Sequence, residues 1–416
     1  MGKWFRPAYF GVLMVSAAFV AERGFAQSLV PEHWVGSWAT SVQVPEPQNA
    51  LAPEDMTGTT LRQIVHLSIG GSTIRVHLSN AFGTTPLRIT SAHLARPTNP
   101  GTSEIDASTD RGLTFNGSAE VVIPPGAQYL SDPIAFPAAP MSDIAISLYI
   151  DEAPARETGH PGSRATTYIA KGNAVSARGL PDAKMVEHWY IMSGIDVVAA
   201  PAAFSVVALG DSITDGHAAT TNGNDRWTDA LVRKLQSSPA TRNIAVLNHG
   251  IGGNHLLIDG LGPNALARFD RDVLAQAGVR YLIVLEGIND LGGIARLGEV
   301  PPDQHALAVK EIIGAYEQII ARAHAEGIRV IGATILPDGG SGYYHPGPQE
   351  DQDRYEVNDW IRVPGHFDAV VDLEKLLEDP SNTNRLLPAY DCGDHLHPSP
   401  AGYKVMGEAF SASLFR

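Results

Sequence analysis

The feature that most constrains the fold is a regular alternation of apolar, strand-like runs with helical stretches, beginning at Phe204. We predict strands at residues 204–209, 244–247, 281–285, 330–335 and 369–373. Helices are predicted between and after them at 227–236, 265–277, 304–326, 355–362 and 401–414. Such alternation is typical of a parallel sheet covered by helices on both faces. Residues 201–416 are therefore expected to form a flavodoxin-like, three-layer α/β/α domain.

The residues before this region have a different pattern. Between residues 33 and 200, short strand-like runs are separated by Gly, Pro, Asn and Ser, without convincing helical periodicity. Residues 59–79 contain two alternating runs joined by Gly70-Gly71-Ser72, which predicts a β-hairpin. Many short strands with turns between them indicate an all-β domain, of the sandwich or jelly-roll-like kind, over residues 33–200.

The first 26 residues resemble a targeting segment. Lys3 and Arg6 precede an apolar run, and the small residues Gly24 and Ala26 follow it, which is the order found in a secretory signal peptide. A membrane anchor is the alternative, but the apolar run is well short of the roughly 20 residues that a spanning helix needs. We expect residues 1–26 to be removed, and the protein to be exported to the periplasm or secreted with no membrane span left.

Charge and cysteine content exclude several classes of function. The formal net charge of −15 argues against nucleic acid as a partner, because phosphate binding needs clustered Lys and Arg. Cys392 is the single cysteine, so an intramolecular disulfide is impossible and a thiolate metal site is disfavoured. A Cys392 nucleophile is conceivable, although a bystander role is the simpler interpretation. The oligomeric state is not indicated.

Polar blocks follow several apolar runs of the predicted α/β domain. Three of them come at the carboxyl ends of predicted strands, where open α/β sheets bind ligands, and should meet at one edge. The fourth precedes the last helix. The blocks are Gly210-Asp211-Ser212, residues 248–254, residues 286–290 and residues 394–398.

These blocks contain the parts that acyl transfer requires. Ser212 is a candidate nucleophile, which needs an adjacent base such as His397 to accept its proton. Asp394, three residues earlier, can hold Nδ1 of that imidazole. The backbone N–H groups of Ser212 and Gly253 and the side-chain amide of Asn289 can donate hydrogen bonds to an oxyanion.

Each block alone has a simpler explanation. Gly210-Asp211-Ser212 can be an ordinary turn, the glycines near Gly253 can serve positive φ angles, and Asn289 can form an Asx turn. Asp394 can cap the turn that follows it. A metal site made of Asp394, His395 and His397 is a further alternative, although the rest of the chain offers no matching ligand spacing.

Taken in order, the four blocks resemble the SGNH hydrolases, also called GDSL esterases and lipases. The matching segments are Gly210-Asp211-Ser212-Ile213-Thr214, Gly250-Ile251-Gly252-Gly253, Gly287-Ile288-Asn289-Asp290 and the pair Asp394 and His397. Ile213 replaces the usual leucine, and Asn254 stands where many members have Asp. The resemblance implies Ser212 as nucleophile, Asp394 and His397 as its partners, and Ser212, Gly253 and Asn289 as the oxyanion hole, with Gly252 as an alternative to Gly253.

The resemblance also implies hydrolysis of carboxylic esters without a metal or another cofactor. The β-rich region suggests a carbohydrate esterase that removes acetyl or feruloyl groups from plant polysaccharide, although this rests on analogy. A non-catalytic carbohydrate-binding protein is a third possibility. Residues 338–353 form a polar, Gly-rich loop in which Tyr343, Tyr344 and His345 are either pocket residues or solvated surface.

Overall fold

The computed structural model describes residues 1–2, 32–296 and 300–415 of the 416-residue chain. The signal peptide predicted over residues 1–26 therefore lies outside the described residues, except for the first two. Contacts divide the chain into Met1–Glu32 and His33–Arg416. Within the described ranges, no helix combines the length and the apolar character that crossing a membrane requires.

The N-terminal part of the larger unit consists almost entirely of β-strands. In chain order its elements are β1 (Trp34–Ala39), α1 (Pro53–Met56), β2 (Thr59–His66), β3 (Gly71–Ser79), β4 (Leu87–Ile89), β5 (Ser91–Ala95), β6 (Arg111–Gly112), β7 (Val121–Ile123), β8 (Gln128–Leu130), β9 (Ile134–Ala138), β10 (Asp143–Ile150), β11 (Gly159–His160), β12 (Thr167–Lys171), β13 (Lys184–Val186), β14 (Trp189–Tyr190) and β15 (Met192–Val198).

Two antiparallel sheets make up most of this part. One has the order β1-β15-β3-β8, with β9 also paired to β3, and the other has the order β13-β12-β2-β10-β5-β6. Val76 and Ile195 from the first sheet share a core cluster with Leu61 and Ile146 from the second. Two sheets that bury their facing side chains together agree with the predicted all-β, sandwich-like region.

The hairpin predicted over residues 59–79 is wrong. Strand β2 pairs with β10 and β12, whereas β3 pairs with β15, β8 and β9, so the two strands lie in different sheets. Seven of the eight residues of β2 are buried, as expected for a strand inside its sheet. Alternation of apolar and polar residues identifies a strand but not its partner, and here the turn carries the chain from one sheet to the other.

The C-terminal part alternates strands and helices as predicted. Its elements are β16 (Phe204–Gly210), α2 (Ser212–Asp215), α3 (Trp227–Gln236), β17 (Ile244–Gly250), α4 (Ala265–Phe269), β18 (Val279–Leu285), α5 (Ile288–Ala295), α6 (Pro302–Ala325), β19 (Arg329–Ala333), α7 (Pro348–Arg362), β20 (Ala369–Val371), α8 (Leu373–Leu377), β21 (Glu378–Asp379), β22 (Asn382–Leu386) and α9 (Pro400–Ala409).

A parallel sheet with the order β17-β16-β18-β19-β20 forms the centre of this part. This is the doubly wound order of a flavodoxin-like domain, and it confirms the predicted fold class. All seven residues of β16 are buried, because the strand has neighbours on both sides and is covered on both faces. Helix α6 buries Ile312 and Ile319 against this core, whereas Leu307 is 52% exposed.

Hydrogen bonds join the β-rich part directly to the parallel sheet. The N–H of Gly36 in β1 donates to Ala277 O at 2.9 Å. Ser68 Oγ donates to Val246 O in β17 at 2.7 Å. Ala203 and Ala245 belong to the same core cluster as the β-rich part. The boundaries predicted for the two domains remain predictions, but the two parts pack together within His33–Arg416.

Candidate active site

The turn between β16 and α2 presents Ser212. The side chain of Asp211 caps α2 by accepting a hydrogen bond from the N–H of Ile213 at 2.8 Å. Ser212 is the first helical residue, and its Oγ lies 2.8 Å from Nε2 of His397. A buried strand and a capped helix therefore hold the hydroxyl within hydrogen-bonding distance of an imidazole that is 185 residues later in the chain.

Asp394 holds the other side of that imidazole. Its Oδ2 lies 2.6 Å from Nδ1 of His397, and its Oδ1 accepts hydrogen bonds from the backbone N–H groups of Leu396 and His397. Partial burial opposes ionisation of Asp394, but the hydrogen bonds from His397 and the backbone hold its pKa well below the usual range. An ionised carboxylate next to Nδ1 keeps a proton on that nitrogen, so Nε2 is free to accept one from Ser212.

Gly253 and Asn289 lie beyond the ends of the next two strands. Gly253 follows β17 in a loop where its φ of +67° is the left-handed conformation that favours glycine. Asn289 is the second residue of α5, shortly after β18, and its Nδ2 donates to Asn254 O at 2.6 Å. One N–H of the Asn289 amide remains for another acceptor.

All five residues predicted for the chemistry surround one cavity of about 680 Å³. It opens to solvent, and its walls combine glycines, three histidines, Asp394 and several larger side chains. The lining residues are Ser212, His217, Gly252, Gly253, Leu261, Asn289, Gly340, Gly342, Tyr343, Tyr344, Gly393, Asp394, His395, Leu396 and His397. Gly252 and Gly253 both line it, so the choice between them as oxyanion donor remains a prediction.

Residues 208–405 match the model of the GDSL-like lipase/acylhydrolase family. This part of the chain belongs to that family. A curated relative, the acetylxylan esterase of Geobacillus stearothermophilus, is 26% identical over 216 residues, which cover 49% of this chain and 90% of the relative. The acylhydrolase domain is accordingly a carboxylic ester hydrolase.

Solved structures are similar to the same half of the chain. A GDSL-like lipase from Bacteroides thetaiotaomicron is 20% identical, with a TM-score of 0.37, and the match covers 49% of this chain and 84% of that one. An acetylxylan esterase from Geobacillus stearothermophilus is 23% identical, with a TM-score of 0.37, and the match covers 51% of this chain and 93% of that one.

Arg268 connects the elements of the acylhydrolase domain beneath the cavity. The side chain is buried, and its guanidinium donates to Gly210 O at 3.0 Å, to His249 O at 2.7 Å and to Asn254 Oδ1 at 2.8 Å. The turn before Ser212 and the loop after Gly253 are therefore held by one group. Sequence reasoning missed Arg268, because an arginine within a predicted helix is usually a surface residue.

Buried carboxyl groups surround this arginine. Burial raises the pKa of Asp211 to about 7, with Asp290 and Asp215 acting in the same direction while Arg268 and the N–H of Ile213 oppose the shift. Burial also raises the pKa of Glu286 well above its usual value, and Asp211 adds to the shift. One guanidinium does not neutralise all of these carboxylates, so protonation of some of them is favoured.

The β-rich part also reaches the helix that carries Ser212. Nε2 of His160 in β11 lies 2.9 Å from Oδ1 of Asp215, and Nδ1 lies 2.8 Å from Ser41 O. His160 and Asp215 are both buried. Arg226 supports the same turn, because its Nε donates to Asp215 O at 2.9 Å. Nothing in the local sequence around His160 indicated this contact.

The loop after the fourth parallel strand contributes to the cavity wall. Tyr343 and Tyr344 line it, whereas His345 is exposed and does not. The hydroxyl of the buried Tyr344 donates a hydrogen bond to Oδ1 of Asn289. Tyr343 is exposed, packs edge-on against Tyr344, and lies beneath the guanidinium of Arg296.

The side chains of His217, Asp394 and His397 place their possible metal-ligand atoms within 4.8 Å of one another. However, the two imidazole rings lie at a tilt, with centroids 4.0 Å apart and an interplanar angle of 32°, and both ring nitrogens of His397 already have partners in Ser212 and Asp394. Burial lowers the pKa of His217 to about 4, and His397 and Arg164 add to the effect. This set therefore fits a hydrogen-bonded His397 packed against His217 better than a metal centre.

The other reactive side chains near His397 do not enter the hydrogen bonds of Ser212. Nδ1 of His395 lies 2.5 Å from Oδ2 of Asp391, away from Asp394. Partial desolvation of the Cys392 thiol, together with the carboxyl groups of Asp394 and Asp391, raises the pKa of Cys392 to about 11, which disfavours the thiolate that a nucleophile requires. This finding supports the interpretation of Cys392 as a bystander.

Proposed function

We propose that the chain is a serine esterase in which Ser212, His397 and Asp394 act through an acyl-enzyme intermediate. The observation that carries this proposal is the 2.8 Å distance from Ser212 Oγ to His397 Nε2 at the wall of the cavity. His397 has a partner on each side, the hydroxyl at Nε2 and the Asp394 carboxylate at Nδ1. This is the arrangement that general-base activation of a serine needs.

In the first half of the reaction, Ser212 Oγ attacks the ester carbonyl carbon while its proton passes to His397 Nε2. The resulting oxyanion accepts hydrogen bonds from the N–H groups of Ser212 and Gly253 and from the Asn289 amide. Collapse breaks the carbon–oxygen bond to the alcohol, which leaves with the proton from His397. In the second half, water takes the place of the alcohol, and the acid and free Ser212 are released.

The test is the variant Ser212→Ala, assayed with p-nitrophenyl acetate and with a fluorophosphonate probe. We expect wild-type protein to hydrolyse the ester and to be labelled at Ser212, and the variant to do neither at an unchanged melting temperature. Hydrolysis at the wild-type rate by the variant would refute the mechanism. A wild-type protein that stays unlabelled and inactive would favour the carbohydrate-binding alternative.

We further propose that the natural substrate is an acylated carbohydrate. The support is the acetylxylan esterase named above as a relative, together with an open cavity that has several glycines and Tyr343 at its wall. Rates on acetylated xylan, feruloyl esters and simple acyl esters distinguish the possibilities. A preference for simple esters with long acyl chains, and no release of acetate from xylan, would exclude this substrate class.

Export of the mature protein is also a proposal. It rests on the basic, apolar and small-residue order of residues 1–26. Expression of the full chain in a bacterial host, followed by N-terminal sequencing of protein from the periplasm and the medium, tests it. A mature protein that begins near residue 27 is expected, and an uncleaved protein in the membrane fraction would favour an anchor.

A further inference from the structure

The oxyanion amide of Asn289 can work in only one of its two orientations. An asparagine side chain presents either its NH2 group or its carbonyl oxygen, and only the NH2 group stabilises a developing oxyanion. A rotation of 180° about the last side-chain bond would place a partial negative charge against the intermediate. The site therefore needs contacts that distinguish Nδ2 from Oδ1 before the substrate binds.

One contact makes that distinction, and a second reinforces it. Asn254 O, which can only accept, lies 2.6 Å from Nδ2 and requires a donor there. Oδ1 faces the hydroxyl of Tyr344, which donates to it. Asn289 is 3% exposed and Tyr344 is 4% exposed, so water has little access to replace either contact. Because the Tyr344 hydroxyl donates its one proton to Oδ1, it has none left to donate to a substrate.

The helix that carries Asn289 also provides the space for this tyrosine. Gly292 lies three residues after Asn289, on the same face of α5. A Cβ atom at Gly292 would be 2.4 Å from Cγ and Cδ1 of the Tyr344 ring, too close for the ring to stay in place. At the next position, Gly293, a Cβ atom would meet only Cε1 of His255, at 4.0 Å.

We propose that Tyr344 is a positioning residue that sets the orientation of the Asn289 amide for oxyanion stabilisation. The inference rests on the proposed function, because it assigns Tyr344 a role in the same ester hydrolysis. Tyr344 acts through Asn289 and does not contact the reacting atoms itself. Removal of its hydroxyl should therefore change kcat while KM and the melting temperature stay close to their wild-type values.

The experiment is a double-mutant cycle between Tyr344→Phe and Asn289→Ala, assayed on p-nitrophenyl acetate. We expect Tyr344→Phe to lower kcat about ten-fold in the wild-type background, the size expected for one lost hydrogen bond. In the Asn289→Ala background it should have almost no further effect, since the amide that it orients is gone. Equal losses in both backgrounds would overturn the proposal, as would an unchanged kcat in the single variant.

Two further pairs of variants separate positioning from stability. Gly292→Ala, which displaces the Tyr344 ring, should lower kcat as Tyr344→Phe does, whereas Gly293→Ala should leave it unchanged. Tyr355→Phe removes another tyrosine hydroxyl that donates to an asparagine, Asn384, outside the cavity lining, and should not affect kcat. Equal effects of the two glycine variants, or a loss of kcat in Tyr355→Phe, would contradict the role of Tyr344.

Failure of the proposed function gives a different result from failure of this inference. An active wild-type enzyme whose variants show additive losses overturns only the role of Tyr344. A wild-type protein that hydrolyses no ester and is not labelled at Ser212 overturns the serine esterase mechanism, and the role of Tyr344 with it.

Discussion

The contact between His160 and Asp215 predicts that the β-rich part stabilises the helix that begins at Ser212. The two side chains lie 2.9 Å apart with exposed fractions of only 3% and 6%, so the contact is almost completely shielded from water. His160→Ala would leave the Asp215 carboxylate buried without this partner. Leaving a buried hydrogen-bonding group without its partner costs about 1–3 kcal/mol, and more where the group is charged. That is a large part of the roughly 5–15 kcal/mol by which a typical domain is stable.

The decrease in the free energy of unfolding can be measured by urea denaturation, with tryptophan fluorescence as the probe. Trp189 stacks on His160 with ring centroids 5.8 Å apart, so it reports on this region. The matched control is His324→Ala, because His324 forms a pair of the same length with Asp368, but at exposed fractions of 47% and 27%. An exposed pair contributes only about 0–1 kcal/mol, so the control should stay close to wild type.

A double variant tests the cause of the loss. His160→Ala with Asp215→Asn replaces the unpaired carboxyl group with an amide and should recover part of the free energy of unfolding. We also expect kcat to fall in His160→Ala, because Asp215 is in the same short helix as Ser212. Equal unfolding free energies for His160→Ala and His324→Ala would refute the assignment of a stabilising role to the buried pair.

Three other predictions concern catalysis, pH dependence and domain coupling. Asn289→Ala should lower kcat about 10²–10³-fold in a steady-state assay, and an unchanged kcat would make its role structural. Burial raises the pKa of Glu157 from 4.5 to about 7, against a hydrogen bond from the backbone of Leu51. The folded protein then binds a proton that the unfolded chain has released, so the free energy of unfolding should fall as pH rises through that interval. Glu157→Gln should reduce this fall in the free energy of unfolding by about 1 kcal/mol, a value that allows for solvent screening of a half-exposed group. If the free energy of unfolding of both proteins changes with pH in parallel, this prediction is wrong. A truncated chain of residues 199–416 should not unfold cooperatively in a calorimeter, because it lacks the hydrogen-bond partners from the β-rich part; a single sharp transition would show that it folds alone.

The features that the sequence predicted well are those encoded in short continuous segments. A buried strand followed by a polar turn can be recognised from neighbouring residues alone, as at Gly210-Asp211-Ser212. Parallel strands then bring their carboxyl ends to one edge, and for this reason the sequence alone places Gly253 and Asn289 near Ser212. The chemical roles of these residues remain predictions until the variants are assayed.

The features that could not be predicted depend on contacts between distant segments. Tyr344 donates a hydrogen bond to Asn289, 55 residues away, and Arg268 donates one to Ser41 Oγ, 227 residues away. No periodicity in the chain marks such pairs. The strand pairing around residues 59–79 failed for the same reason, because the partner of a strand is decided by the packing of the whole sheet.

The buried charged groups beneath the cavity are better explained by a role in orienting the cavity residues than by a contribution to the stability of the fold. Replacing buried ionic groups with apolar residues of similar volume is often neutral or stabilising, so Arg268 is a costly way to fill this space. Its guanidinium, however, donates hydrogen bonds to Gly210 O, two residues before Ser212, and to Asn254 Oδ1, next to Gly253. Asn254 O in turn accepts from the Asn289 amide, whose Oδ1 accepts from Tyr344. Stabilisation of an oxyanion depends on donors that need no reorganisation during the reaction, and this chain of contacts would hold the proposed donors in place from one buried charge.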